Sequence, residues 1–129
     1  MFNKARFKEY LESLDLNNED FIVVAGGSLL LQDIKDFTED VDLYVNKNGF
    51  NTLSKSFEIK LSDKPYANHY IVNDNLEVVL KENLDEISYA LIDGYKCTTL
   101  KYEYEWKKKN NRLKDQEIIK KLEKKLKNS

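Results

Sequence analysis

At 129 residues the chain suits a single domain and leaves no room for a separate acceptor-binding module, so any second module would be another chain. An apolar share of 41% beside 34% charged residues excludes a disordered polymer, and no apolar run approaches signal-peptide length or the roughly 18 residues of a membrane span, so a cytoplasmic protein is expected. The formal charge of -2 is unevenly spread: residues 101 to 129 hold 11 Lys/Arg against 5 Asp/Glu, and the acidic remainder argues against nucleic acid as a general partner.

Phe7, Tyr10, Leu11 and Leu14 recur at helical spacing, which predicts a packing helix over residues 3 to 14, closed by a loop at Asn17 and Asn18. Residues 21 to 25 form a β-branched run halted by Gly26 and Gly27. Ser28 then precedes Leu29, Leu30 and Leu31, giving a strand, a tight turn and the start of a helix. From Asp40 to Val45 the chain alternates strictly. Val41, Leu43 and Val45 take one face of a strand, and Asp40, Asp42 and Tyr44 take the other.

Further strands are predicted around Ile59, over residues 70 to 72 and over residues 76 to 80, with a hairpin turn at Asn73, Asp74 and Asn75. Residues 87 to 92 fit a short helix or a strand equally. A helix should run from Thr98 or Thr99 through Trp106, and another should begin near Asp115 and bury Ile118, Ile119, Leu122 and Leu126. Cys97 has no partner for a disulfide or a zinc motif and reads as a small buried hydrophobe in a reducing compartment.

Two aspartates two apart on a half-buried strand present their oxygens side by side, the arrangement that collects one or two hard divalent cations such as magnesium. Glu77 alternates with Leu76 and Val78, so it becomes a third ligand if its strand lies beside the first. Three such carboxylates repel one another without a cation and should raise at least one pKa. In phosphoryl chemistry a pair of metals serves the attacking hydroxyl and the leaving pyrophosphate. The turn at Gly26, Gly27 and Ser28 offers a complementary place for phosphate, since glycines admit close backbone approach and the Ser28 hydroxyl can donate. Each piece is common alone; a glycine-serine turn, eleven residues and then Asp-x-Asp on an alternating strand form a compound pattern that chance seldom supplies.

Residues 24 to 28 (VAGGS) and 37 to 43 (FTEDVDL) resemble the core motif of the DNA polymerase beta-like nucleotidyltransferase superfamily, in particular small bacterial members related to abortive-infection type IV toxins and antibiotic-modifying nucleotidyltransferases. Lys107 through Arg112, Leu113, Lys114 and Asp115 is similar to the family's lysine, spacer and Arg-x-Lys-Asp pattern. The resemblance implies a minimal nucleotidyltransferase fold, an α/β domain with a central mixed sheet flanked by helices. It implies that Gly26, Gly27, Ser28 and Lys107 bind the nucleotide, and that Asp40, Asp42 and Glu77 are catalytic and bind two Mg²⁺ ions. Arg112, Lys114 and Asp115 would brace the helices behind the site. Two departures stand out: Asp36 occupies a position where many relatives have arginine, and the third carboxylate is glutamate, chosen over Asp74 or Glu82 by strand parity.

His69 reads more readily as a partly exposed polar residue than as a base, and Trp106 more readily as a packing residue than as a base-stacking one. The expected function is magnesium-dependent transfer of a nucleoside monophosphate from an NTP, ATP included, to an acceptor hydroxyl on an RNA end, a protein side chain or a small molecule. The alternative is a weakly catalytic or non-catalytic binding module, the toxin-antitoxin-type partner of another protein; a partner chain or a homo-oligomer fits either reading.

Overall fold

Asn3 begins the first helix by accepting the Arg6 amide hydrogen, and α1 (Lys4–Ser13) then turns Phe7 and Leu11 inward. The structure, a computed structural model, describes residues 1–128. Strand β1 (Phe21–Val24) is buried along its whole length and leads directly into α2 (Ala25–Leu31). β2 (Val41–Val45) follows, with Val41, Leu43 and Val45 pointing into the core as their alternation requires.

After β2 the chain forms α3 (Lys47–Ser56), capped by Asn46 accepting from the Gly49 amide. Three strands come next: β3 (Lys60–Leu61), β4 (His69–Ile71) and β5 (Leu76–Leu80). β4 and β5 are joined through the turn at Asn73, whose side-chain oxygen accepts from the amides of Asn75 and Leu76. β6 (Tyr89–Ile92) and β7 (Tyr95–Thr98) form a hairpin across Asp93 and Gly94, both at positive φ. The chain closes with α4 (Leu100–Asn110), capped by Thr99, and α5 (Gln116–Lys127).

All seven strands make one mixed sheet in the order β3-β4-β5-β2-β1-β7-β6. The β2–β5 and β1–β7 pairs are parallel and the rest antiparallel. One apolar cluster gathers Phe7 and Leu11 with the inward residues of β1, β2 and β5. On the opposite face Ile22, Val24, Tyr44 and Leu84 form a second cluster, and Leu29, Ile34 and Leu122 seat the α4–α5 pair against α2. Among the described residues no helix is long and apolar enough to cross a membrane.

The α/β class and the central mixed sheet flanked by helices agree with the sequence reading. One local expectation needs correction, two left open are resolved, and one helix is added. Helix α2 already begins at Ala25, so Gly26, Gly27 and Ser28 lie inside it. The pair over residues 89–98 is a hairpin, because Asp93 and Gly94 supply its turn, and Thr98 ends a strand while Thr99 caps the helix. Helix α3 was not anticipated; its central glycine and polar start mask the inward-facing Phe50 and Leu53.

Candidate active site

The side of the sheet opposite α1 carries the carboxylates. In the parallel β2–β5 pair Asp42 stands directly across from Glu77, and on its other side Asp42 is level with Val24 at the end of β1. Asp40, exposed, lies just before β2, and the Thr38 hydroxyl donates to its backbone carbonyl oxygen at 3.3 Å. Burial, with Glu77 and then Asp40 nearby, pushes the Asp42 carboxyl up to about 6.

A single oxygen of Glu77 receives two neighbours. Lys64 Nζ lies 2.8 Å from Oε1 and His69 Nε2 lies 3.0 Å from it. Burial lowers the His69 pKa below its ordinary value, so the ring is neutral near pH 7 and sits against the carboxylate as an uncharged neighbour. Nδ1 of the same ring is buried without a hydrogen-bond partner. His69 is therefore buried beside Glu77, not the partly exposed residue the sequence suggests. Among the described residues no three His, Cys, Asp or Glu side chains are drawn tightly enough to enclose a metal ion as they stand.

The three turn residues separate. Gly26 lines the cleft, where a Cβ would meet Thr38 Oγ1 at 2.4 Å. Gly27 faces the other way, and a Cβ there would meet the Phe7 ring at 2.3 Å, so this glycine permits α1 to pack on α2. Ser28 is completely buried and its hydroxyl donates to the Thr98 carbonyl oxygen at 2.7 Å. That carbonyl also accepts from Gln32 Nε2. The expected phosphate contact from Ser28 is thus corrected: the hydroxyl is committed to joining α2 to the end of β7.

Across from the carboxylates the α4–α5 junction forms a cationic wall. Asp115, nearly buried, accepts from Arg112 Nε at 2.7 Å and lies 3.6 Å from Lys107 Nζ. The Arg112 guanidinium sits over the Trp106 ring at 4.7 Å from its centroid, and Tyr66 approaches the same ring at 6.2 Å. Trp106 therefore borders the cleft instead of disappearing into the core. Together the two walls enclose about 710 Å³, enough for a nucleotide.

No protein-family model and no curated protein matches the chain. Among solved structures the chain is similar to a candidate nucleotidyltransferase from Thermotoga maritima, with a TM-score of 0.60 and 15% identity, covering 96% of both chains. The fold is nucleotidyltransferase-like. Within it, the cleft brings together Gly26, Asp40, Asp42, Glu77 and Lys107, and it leaves Gly27 and Ser28 outside.

Sequence reasoning missed Lys35, Lys64 and Glu103, all of which line the cleft. Lys35 Nζ lies over the turn, 3.7 Å from the place a Gly26 Cβ would take. Lys64 follows β3 in a loop with no periodic pattern, and only the approach of β4 to β5 reveals it. Glu103 had a signal: a carboxylate four residues after the Thr99 cap, flanked by Tyr102 and Tyr104, lies too near the apolar stripe of α4 to be an ordinary solvated charge.

Proposed function

We propose that this chain is a magnesium-dependent nucleotidyltransferase that moves a nucleoside monophosphate from an NTP to an acceptor hydroxyl and releases pyrophosphate. The observation that carries the reading is the register of β2 and β5, which sets Asp42 and Glu77 side by side with Asp40 at the entrance. The nucleotidyltransferase-like fold supports it. The donor set fits a hard divalent cation: all three side chains offer oxygens, and Asp42, raised first by burial and then by Glu77 and Asp40, would be returned to its charged form by a cation.

Asp40 and Asp42 would hold the metal, with Glu77 completing the set once Lys64 turns away. When bound, two such ions stabilise the attacking hydroxyl as alkoxide and offset charge on the leaving pyrophosphate. His69, buried with Nε2 3.0 Å from Glu77 Oε1, limits the directions that carboxylate can take. Lys107 and Arg112, steadied by Asp115, face the position of the phosphates from the helical wall, and Lys35 does so above Gly26. The Gly26 backbone allows the phosphates to approach without a side chain in between.

Titration calorimetry with ATP, with and without magnesium, tests binding, and pyrophosphate release from each NTP in the presence of cell RNA, protein and small-molecule fractions tests transfer. Asp42→Asn is expected to reduce pyrophosphate release to background while leaving the circular dichroism spectrum unchanged. Undiminished release from that variant would remove the assignment.

One observation favours a second reading, a binding module of toxin-antitoxin type. Lys64 already pairs with Glu77 Oε1, so the acidic group is partly neutralised from within. A module of this kind would show neither magnesium-dependent ATP affinity nor pyrophosphate release, and would instead co-purify with a partner chain.

A further inference from the structure

We propose that Glu103 is a positioning residue of this cleft: its buried carboxylate holds Ala25 in a left-handed conformation and thereby fixes the Gly26 backbone against the segment that carries Asp40. This rests on the nucleotidyl-transfer reading for its functional consequence, and on geometry alone for its structural part.

Glu103 is 3% exposed, and its Oε2 accepts from the Thr98 hydroxyl at 2.7 Å and from the Ala25 amide at 3.2 Å. Ala25 has φ +56°, a region that a residue with a Cβ adopts only when its surroundings impose it. As the first residue of α2, Ala25 has no acceptor within the helix for its N–H, and a buried amide left unpaired is costly. A charged acceptor makes the strong kind of hydrogen bond that offsets both penalties.

The placement is otherwise adverse. Glu103 adds a fourth carboxylate to a cleft that already holds Asp40, Asp42 and Glu77, and a buried charge near like charges survives only where a specific contact compensates it. A residue needed merely to fill space in α4 would be apolar. The contact chain then runs toward the reacting end: Ala25 sets Gly26, Gly26 leaves no room for a Cβ beside Thr38 Oγ1, and the Thr38 hydroxyl donates to the Asp40 carbonyl. Loss of the left-handed turn would shift both the glycine rim and the Asp40 approach.

The test uses isotope-labelled full-length protein and two readouts, the backbone chemical shifts of Ala25 and Gly26 and the affinity for ATP with magnesium by calorimetry. Wild-type Ala25 is expected to show left-handed Cα and Cβ shifts, and Glu103→Gln to lose them with at least a tenfold weaker affinity. Glycine tolerates the left-handed region without help. In the Ala25→Gly background, Glu103→Gln is therefore expected to cost less than threefold. Left-handed shifts absent from the wild type, shifts unmoved by Glu103→Gln, or an equal affinity loss in both backgrounds would each overturn the proposal. If Glu103→Gln does not fold, Glu103→Asp, which keeps the charge and withdraws the oxygen by one methylene, takes its place with the same expectations. A wild type that binds no ATP while its Ala25 shifts respond to Glu103→Gln would end the nucleotidyl-transfer reading and leave the positioning of the turn established.

Discussion

Asp42 is held up to about 6 in the folded chain by burial first and by Glu77 and Asp40 next, against an ordinary value of 3.8. Below 3.8 the carboxyl is protonated whether the chain is folded or not; between 3.8 and about 6 only the folded chain keeps the proton, so stability falls as pH rises through that window and stays reduced above it. The shift corresponds to at most about 3 kcal/mol. Urea unfolding in the presence of a chelator should therefore show Asp42→Asn more stable than the wild type at pH 7.5 and indistinguishable from it near pH 3.5. Added magnesium should stabilise the wild type and not the variant. At this scale the sequence was legible where strand parity governs, as for Asp42 and Glu77, because alternation alone decides which face a side chain takes. It misled at Ser28, whose hydroxyl is captured by the Thr98 carbonyl of a strand 70 residues away.

The segment between β3 and β4 brings Lys64 onto Glu77 from a partly exposed position. Replacing it by Lys64→Met removes the cation from that Glu77 oxygen and leaves the acidic group more negative, so magnesium affinity measured without nucleotide should rise about two- to fivefold, the range of a solvent-screened ion pair. The two adjacent glycines of α2 should separate cleanly. Gly27→Ala drives a methyl into the Phe7 ring and should lower stability by about 1–3 kcal/mol in thermal denaturation. Gly26→Ala, directed at Thr38 on the cleft side, should weaken ATP binding more than it lowers the melting temperature. Among the elements, α1, β1, β2, the β4–β5 hairpin and α5 announce themselves by period or turn residues. The β6–β7 hairpin carried a readable signal as well, since Asp93-Gly94 is the pair a two-residue turn demands, but Lys96 and the short flanking strands hid the alternation around it.

For the whole molecule, Asp42 and Glu77 belong to the middle of the sheet, and Lys107 and Arg112 to the α4–α5 pair, which leans on α2 through Leu122, Leu29 and Ile34. Leu122→Ala should cost about 2–5 kcal/mol in denaturant unfolding and weaken ATP binding without altering the carboxylates, because the wall bearing Lys107 and Arg112 loses its seat. The basic tail of the sequence thus has two uses: Lys107 and Arg112 turn inward, whereas Lys120 and Lys124 remain on the solvated side of α5. Charge counting could not separate them, since only the burial of Asp115 draws two of those cations together.

The pairing of Asp42 with Glu77 has one more implication. A slip of β5 by a single residue would not only turn Glu77 toward α1; it would also lift Leu76 and Val78 out of the interior and set them in water. Chemistry and cohesion therefore depend on the same alignment, so a chain that misaligns these strands is discarded by its own instability before it can persist as an intact but inert protein.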